Sequence, residues 1–318
     1  MSNMTFIPKY NTPCYLSKGI PGQIAELLDA DLALQRRFRE ETISDLLVAS
    51  ILALPIDDLF ILLPEEKRTG SDFDIIVVHE EQNQAVQFRI QAKRLSHNEN
   101  RWRIGSYKEL AHPHNTGAQA SLLVRSSAHE KIPTIPLFAF YNPERVCKLS
   151  NGSVSGLELA SGFAVNELIK EMVRAKPSRL PNKRLSTLQP LFFPFATLMC
   201  TPFVTAPASG VPRSVPSPIV FKRVVEQAIE ATMKNVPNLF DLYGLKQISN
   251  FEALSSYEEP EVIESKPIRS RIGSFEEAPD SLSALPKKLR KIIERRDGEK
   301  VVRSRVRRPR IILTSSEA

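Results

Sequence analysis

The clearest periodic pattern in the chain is a strict alternation of apolar and polar residues over positions 87–93. The apolar members are Phe88, Ile90 and Ala92, and the polar members are Gln87, Arg89, Gln91 and Lys93. Successive side chains of a strand point to opposite faces of the sheet, so the alternation predicts a half-buried strand with a polar outer face. The apolar run 75–78 predicts a second strand, and the polar segment 79–84 between them predicts a hairpin turn.

Apolar residues at helical spacing cover much of the N-terminal quarter of the chain. They predict a helix or a helix pair over residues 22–53, which Pro55 ends, after an irregular lead-in over residues 1–20. Similar spacing predicts amphipathic helices over residues 164–174 and 219–234. The apolar segment 135–141 predicts a buried strand. The mixture of strands and helices indicates an α/β fold.

The C-terminal third changes character and sets the predicted domain boundaries. Residues 1–200 are predicted to form the main domain, residues 201–218 a proline-rich linker and residues 219–250 a helical extension. Residues 251–318 are predicted to be disordered, with an acidic linker followed by a basic tail. Between residues 287 and 310 there are twelve Lys and Arg against three acids, a net charge of +9. Since the whole chain has a net charge of +7, the remainder has a net charge of −2.

Composition and cysteine count narrow the class of protein. The chain has 318 residues, of which 42% are hydrophobic and 25% charged, as expected for a soluble globular protein. No segment approaches the length of a membrane span, and residues 1–9 do not resemble a signal peptide. Cys14, Cys147 and Cys200 are odd in number and far apart. They favour reduced thiols in a cytoplasm over a disulfide framework or a zinc site.

The predicted hairpin brings an acid close to an amide and an amine. Asp72 precedes the first strand, and pairing of the two strands would return it to the neighbourhood of Gln91 and Lys93. One carboxylate with further oxygen ligands is a common arrangement for Mg²⁺. The lysine would sit beside a bound water or a phosphate, where its charge favours hydrolysis. The alternative is structural, with Asp72 capping a turn after Gly70 and Lys93 lying in solvent.

These residues also carry a resemblance to a known group of enzymes. Gly-Ser-Asp-Phe-Asp at 70–74, followed by Gln-Ala-Lys-Arg at 91–94, resembles the PD-(D/E)XK, or restriction endonuclease-like, nuclease superfamily. The similarity covers roughly residues 38–142 and is greatest to the QxK variant of the Mrr-type endonucleases. It implies an αβββαβ core with a mixed sheet, Mg²⁺ or Mn²⁺ as cofactor, hydrolysis of phosphodiester bonds and a role in bacterial or phage defence.

The resemblance also implies roles for individual residues. Asp72, Gln91, Lys93 and Glu41 would be catalytic, and Asp72, Gln91 and Glu41 would hold the metal ion. Asp74 and Gln119 would lie around that group, although Asp74 is also an alternative to Asp72 as the main ligand. Two of these residues have a second explanation in the sequence. Glu41 could instead pair with Arg37 or Lys67 at the surface, and Gln119 could complete a capping box that begins at Thr116.

Nucleic acid, DNA in particular, is the expected partner, and no membrane contact is expected. The predicted contacts are Arg94, Trp102, Lys287, Lys288, Arg290, Arg303, Arg305, Arg307 and Arg308. Trp102 could instead anchor its loop on the core. Two alternative functions remain open at this stage. One is a catalytically inactive nucleic-acid-binding or regulatory protein on the same fold, and the other is an interaction protein whose basic tail binds an acidic partner.

Overall fold

The central feature of the fold is a mixed β-sheet with helices on both sides. The computed structural model of the protein describes residues 10–33, 38–54, 59–62, 64–79, 84–97, 99–111, 113–114, 117–174, 183–200, 218–234 and 310–315. The strands are β1 (Leu59–Leu62), β2 (Phe73–His79), β3 (Gln84–Arg94), β4 (Pro113–His114), β5 (Gly117–Ala118), β6 (Thr134–Tyr141), β7 (Leu157–Ser161), β8 (Phe193–Pro194) and β9 (Arg310–Ser315).

The helices account for most of the remaining described chain. They are α1 (Pro13–Ala33), α2 (Glu40–Leu52), α3 (Glu66–Thr69), α4 (Gln119–Ala128), α5 (Glu144–Leu149), α6 (Gly162–Arg174), α7 (Leu185–Leu188), α8 (Ala196–Met199) and α9 (Pro218–Lys234). The prediction of an α/β fold with a mixed sheet is confirmed. The predicted helix pair near the N-terminus and the predicted helices at 164–174 and 219–234 are also present.

The described strands of the main sheet follow the order β1-β9-β2-β3-β6-β7-β8, and β4 and β5 form a separate small ribbon. β2 and β3 are antiparallel, as the hairpin pattern predicts, whereas β3 and β6 are parallel. Phe73 is opposite Ile90 and Asp74 is opposite Arg89. The Asp72 N–H donates to the Ile90 carbonyl oxygen at 2.9 Å. This register places Asp72 beside Gln91, at the end of the sheet where β2 begins and β3 ends.

Both faces of β3 are buried, so the prediction of a polar outer face in solvent is wrong. The apolar residues pack into the core, and Phe88 meets Phe221 of α9 with ring centroids 6.4 Å apart. The polar face is covered as well, with Arg89 and Lys93 exposing only 0% and 3% of their surfaces. Buried charges must be paired. The polar side of β3 is therefore a row of ion pairs and hydrogen bonds, and the candidate site belongs to this row.

Helix α9 packs on the core of the main domain. Phe221, Val225, Ile229 and Met233 recur at helical spacing and are all buried. This stripe buries one face of α9 against the core. Residues 201–217 of the predicted linker, residues 235–250 of the predicted extension and residues 251–309 lie outside the described residues.

Three expectations about the chain ends and the cysteines are wrong. Helix α1 begins at Pro13 and continues through Pro21, so residues 13–20 are not an irregular lead-in. Strand β9 occupies the predicted disordered tail at residues 310–315, where it lies between β1 and β2 and runs parallel to β2. Cys14 and Cys200 form a disulfide, and Cys147 alone is free. These features all depend on contacts between residues far apart in the sequence.

Candidate functional site

Asp72 is the centre of a polar cluster at the joint end of β2 and β3. Its Oδ2 atom accepts two hydrogen bonds of 2.7 Å, one from Gln91 Nε2 and one from the Ala92 N–H. Gly70, in the left-handed conformation with φ of 71°, ends α3 and turns the chain into β2. The predicted proximity of Asp72 and Gln91 is therefore confirmed.

Gln91 keeps one buried polar atom without a partner. Its amide nitrogen donates to Asp72 and to the Ala92 carbonyl oxygen, so the orientation of the amide is fixed by two acceptors. Its Oε1 atom is buried and accepts no hydrogen bond from the described residues. Such an atom costs about 1–3 kcal/mol when nothing satisfies it. An oxygen left this way beside a carboxylate is the kind of ligand that Mg²⁺ takes.

Lys93 is held by an acid from α2, but the acid is Glu40. Its ammonium donates to Glu40 Oε1 at 2.9 Å, and the Arg94 N–H donates to Glu40 Oε2 at 2.9 Å. The ammonium is 4% exposed and the Glu40 side chain 20%. Glu41, which the resemblance implies as a metal ligand and catalytic acid, is exposed on the helix surface. Glu40 takes its place beside Lys93.

The phase of α2 explains this difference. The helix begins at Glu40, and its buried face includes Ile43, Ser44 and Leu47, three, four and seven residues further on. Glu40 extends that face, whereas Glu41 does not. The segment 22–53 was predicted as a helix or a helix pair; α1 ends at Ala33 and α2 begins at Glu40, so α2 has a phase of its own.

The electrostatics of the cluster favour a cation. The pKa of Asp72 is raised to about 7, because burial and the charges of Glu40 and Glu66 raise it by more than the Lys93 ammonium lowers it. Burial also raises the pKa of Glu40, against the lowering effect of Lys93. The charges of two acids, Glu40 and Glu66, thus act on the Asp72 carboxylate together with the charge of Lys93. A divalent cation would offset the excess negative charge.

Glu66 and Gln119 form a second part of the site that the sequence did not connect. Gln119 is the first residue of α4, and its Nε2 atom donates to Glu66 Oε1 at 3.0 Å. A residue at that position does not complete a capping box from Thr116, because the box needs its amide or carboxylate at the third helical position. Glu66 had no assigned role, and no periodic pattern in the short α3 distinguishes it.

Asp74 belongs to a separate buried network, in which both oxygens of its carboxylate accept hydrogen bonds. Its carboxylate accepts hydrogen bonds from Ser71 Oγ at 2.9 Å, from Gln87 Nε2 at 2.6 Å and from Arg89 at 3.3 Å. Arg89 also pairs with Glu130. The Asp74 carboxylate is therefore already paired with the Arg89 guanidinium. Of the two aspartates, Asp72 is therefore the one placed to bind a ligand.

The predicted nucleic-acid contacts within the described residues are engaged by the protein itself. The Arg94 guanidinium donates to the Phe38 carbonyl oxygen. Trp102 packs against the core, and the Arg103 guanidinium lies 5.4 Å from its ring centroid. The alternative for Trp102, an anchor for its loop, describes this arrangement. Lys287, Lys288, Arg290, Arg303, Arg305, Arg307 and Arg308 lie outside the described residues.

Two properties of the described residues bear on cofactors and membranes. In this part of the chain, no three His, Cys, Asp or Glu side chains are grouped closely enough to hold a metal ion. A site built on Asp72 would therefore need neutral oxygens such as Gln91 Oε1 in addition to carboxylates. No helix among the same residues is long and apolar enough to cross a membrane.

The described elements define a mixed α/β protein with a buried polar cluster at one end of its central strands. The chain belongs to the DUF6615 family, a family of unknown function whose profile matches residues 13–318. Neither a curated protein nor a solved structure matches the chain.

Proposed function

We propose that the protein is a metal-dependent nuclease that hydrolyses phosphodiester bonds, with DNA as its substrate. One observation carries the proposal: Asp72, Gln91 and Lys93 converge at the end of one antiparallel strand pair, and a buried oxygen of Gln91 has no partner among the described residues. When the short helix α3 and the β4–β5 ribbon are left out, the chain order α2, β1, β2, β3, α4, β6 supports it, because it matches the αβββαβ order that the resemblance implies. In the sheet, β9 lies between β1 and β2.

The residues present fit a divalent cation. Asp72 would supply the charged oxygen and Gln91 Oε1 a neutral one, and the Ala92 carbonyl oxygen lies at the same strand end. Mg²⁺ or Mn²⁺ bound there would polarise a phosphoryl oxygen and activate water. Binding would also compensate the burial of the Asp72 charge, which raises the pKa of this group.

The chain positions its own charges for phosphoryl transfer. Lys93 presents an ammonium beside Asp72, and the ion pair with Glu40 fixes its direction at 2.9 Å. An ammonium at this place stabilises the negative charge that develops on the phosphate, or assists the removal of a proton from the attacking water. Glu40 is a positioning residue for Lys93, because both of its oxygens accept hydrogen bonds from β3.

A nucleic-acid-binding protein that does not cleave is the second candidate. The observation in its favour is that the ammonium of Lys93 is paired with Glu40 and that no three acidic or imidazole side chains of the described residues form a metal cluster. Both candidates share the basic C-terminal sequence as their source of affinity for phosphate. Metal-dependent cleavage separates them.

The test compares two glutamines on the same face of β3. Gln91 donates to Asp72 and Gln87 donates to Asp74, so Gln91→Glu and Gln87→Glu each place a new carboxylate beside an aspartate. In a plasmid-cleavage assay with Mg²⁺, Mn²⁺ or EDTA, we expect the wild type and Gln91→Glu to cleave with metal. We expect Gln91→Glu to gain thermal stability from Mn²⁺, and Gln87→Glu to gain no more than the wild type gains.

Several results would count against this proposal. A wild-type protein that leaves DNA intact with either metal would favour the binding protein. Metal-dependent cleavage by Gln91→Glu with no change in its metal preference or affinity would remove Gln91 from the ligand set. A larger Mn²⁺ stabilisation of Gln87→Glu than of Gln91→Glu would move the cation to Asp74.

A further inference from the structure

The close packing of α3 against α4 fixes the position of Glu66. A Cβ atom on Gly70 would lie 2.8 Å from the Leu123 amide nitrogen and 2.9 Å from the Gln119 carbonyl oxygen, so only glycine fits there. Ser126 Oγ of α4 donates to the Thr69 carbonyl oxygen at 2.7 Å. The last residue of α3 and the turn after it are therefore held against α4, and Glu66 is held with them.

Gln119 gives the Glu66 carboxylate its direction. Gln119 is only 6% exposed, and its amide nitrogen donates to Glu66 Oε1 at 3.0 Å. A buried amide that donates to a carboxylate restricts the rotamers of that carboxylate. The Gly70 N–H also donates to the Glu66 carbonyl oxygen at 2.7 Å, which ties the backbone of Glu66 to the turn that leads to Asp72.

Glu66 and Glu40 have different tasks, although both act on Asp72. The negative charge of each raises the pKa of Asp72. Glu40 is committed to β3, where its two oxygens accept hydrogen bonds from the Lys93 ammonium and the Arg94 N–H. Glu66 accepts a hydrogen bond on Oε1 from the neutral amide of Gln119. The unpartnered Oε1 of Gln91 independently indicates that a ligand belongs at this strand end.

We propose that Glu66, directed by Gln119, is a second acidic residue of the cation site at Asp72 and raises its affinity for divalent metal ions. This inference rests on the proposed function for the location of the metal site, but it makes a separate claim about binding. Gln119 acts as a positioning residue, since it contacts Glu66 and would not contact the metal ion.

Titration of the full-length protein with MnCl₂ in a calorimeter tests the proposal, because it measures metal binding without any reaction. Glu66→Gln removes the charge and keeps the shape of the side chain. Glu65→Gln is the matched control, because Glu65 is the neighbouring residue and its side chain makes a surface ion pair with Arg68 at 3.7 Å. Gln119→Leu removes the directing amide without changing the charge.

We expect Glu66→Gln to bind Mn²⁺ more than tenfold more weakly than the wild type, and Glu65→Gln to bind like the wild type. Gln119→Leu should weaken binding by about tenfold, which is the usual effect of removing a group that orients a metal ligand. Its circular dichroism spectrum should match that of the wild type, and this result would separate the loss of orientation from a loss of fold.

The outcomes for binding and for catalysis are distinguishable. If the wild type binds Mn²⁺ and Glu66→Gln binds it equally well, this inference is wrong, whatever the cleavage assay shows. A wild-type protein that does not bind Mn²⁺ would also overturn it. If Glu66→Gln binds weakly but the wild type never cleaves DNA, the inference stands and the nuclease proposal falls.

Discussion

At the scale of single residues, the candidate site contains two groups that are energetically unfavourable when no ligand is bound. Burial holds the pKa of Asp72 at about 7, and the Oε1 atom of Gln91 is buried without a hydrogen bond from the described residues. Both features raise the free energy of the metal-free folded protein. Groups that are unfavourable in the empty site and favourable with a ligand are common at functional sites.

Asp72→Asn should stabilise the metal-free protein at alkaline pH. The folded state of the wild type binds more protons at Asp72 than the unfolded state between pH 4 and 7, because burial raises the pKa of this group to about 7. The stability of the wild type therefore falls as the pH rises through this window, and asparagine removes the effect. We expect a gain of about 4 kcal/mol at pH 8 that vanishes near pH 4.

Urea unfolding of the two proteins at several pH values in EDTA measures this gain, and Mn²⁺ titration accompanies it. The stabilised variant should also lose its affinity for Mn²⁺. A variant that is less stable than the wild type at pH 8 would show that the Asp72 charge is well compensated by the protein alone, and the argument for a cation would lose its electrostatic basis.

At the scale of elements, the sequence predicted the strands of the site better than the helix beside them. The alternation over 87–93 and the turn at 79–84 were sufficient to place Asp72 beside Gln91, because hairpin register follows from local pattern. Glu41 was predicted as the acidic residue that α2 contributes to the site, but Glu40 occupies that position. The rotation of α2 about its axis is set by its packing and does not follow from α1. The role of Gln119 was also missed, since it depends on a contact with Glu66 from another element.

Glu40→Gln and Glu41→Gln form a matched pair that tests which acid serves the site. Glu40→Gln leaves the buried ammonium of Lys93 without a counter-charge, so we expect a loss of about 2–4 kcal/mol in the free energy of unfolding. Glu41 is exposed, and its substitution should change stability by less than about 0.5 kcal/mol. Cleavage activity should fall with Glu40→Gln alone. Equal losses from both substitutions would contradict the observed phase of α2.

At the scale of the whole molecule, the two ends of the chain are tied to the central domain by distant contacts. The disulfide joins Cys14 in α1 to Cys200 after α8 across a sequence separation of 186 residues. Strand β9 inserts between β1 and β2, with Arg310 opposite Asp74. Strand β9 therefore begins at the end of the sheet that carries Asp72. Composition predicted the charge of the tail, but a pairing across more than two hundred residues leaves no local signal.

Reduction of the disulfide should lower stability. Closing a loop of this length removes conformational freedom from the unfolded chain, which gives an upper value of about 5 kcal/mol in the chain-entropy description. We expect a reducing agent to lower the melting temperature of the wild type and of Cys147→Ser, but not that of the double variant Cys14→Ser/Cys200→Ser. A wild-type melting temperature that is insensitive to reduction would show that the two thiols are not joined in solution.

The basic tail should provide much of the non-specific affinity for DNA, but a deletion of residues 281–318 would remove β9 from the sheet. Neutralising Arg303, Arg305, Arg307 and Arg308 together is the test that leaves β9 intact. If these four arginines contact phosphates, the slope of log K against log salt should flatten by about three to four units on duplex DNA. An unchanged slope would assign the tail to a different partner.

Cleavage by wild type and Lys93→Ala, measured alongside their Mn²⁺ binding, tests the central claim most directly. If the ammonium acts on the reacting phosphate or water, Lys93→Ala should bind Mn²⁺ about as well as the wild type and cleave plasmid DNA at least about 100-fold more slowly. Wild-type cleavage should require Mg²⁺ or Mn²⁺ and stop in EDTA. Equal cleavage by the two proteins, or metal-independent cleavage by the wild type, would contradict a nuclease site built on Asp72, Gln91 and Lys93.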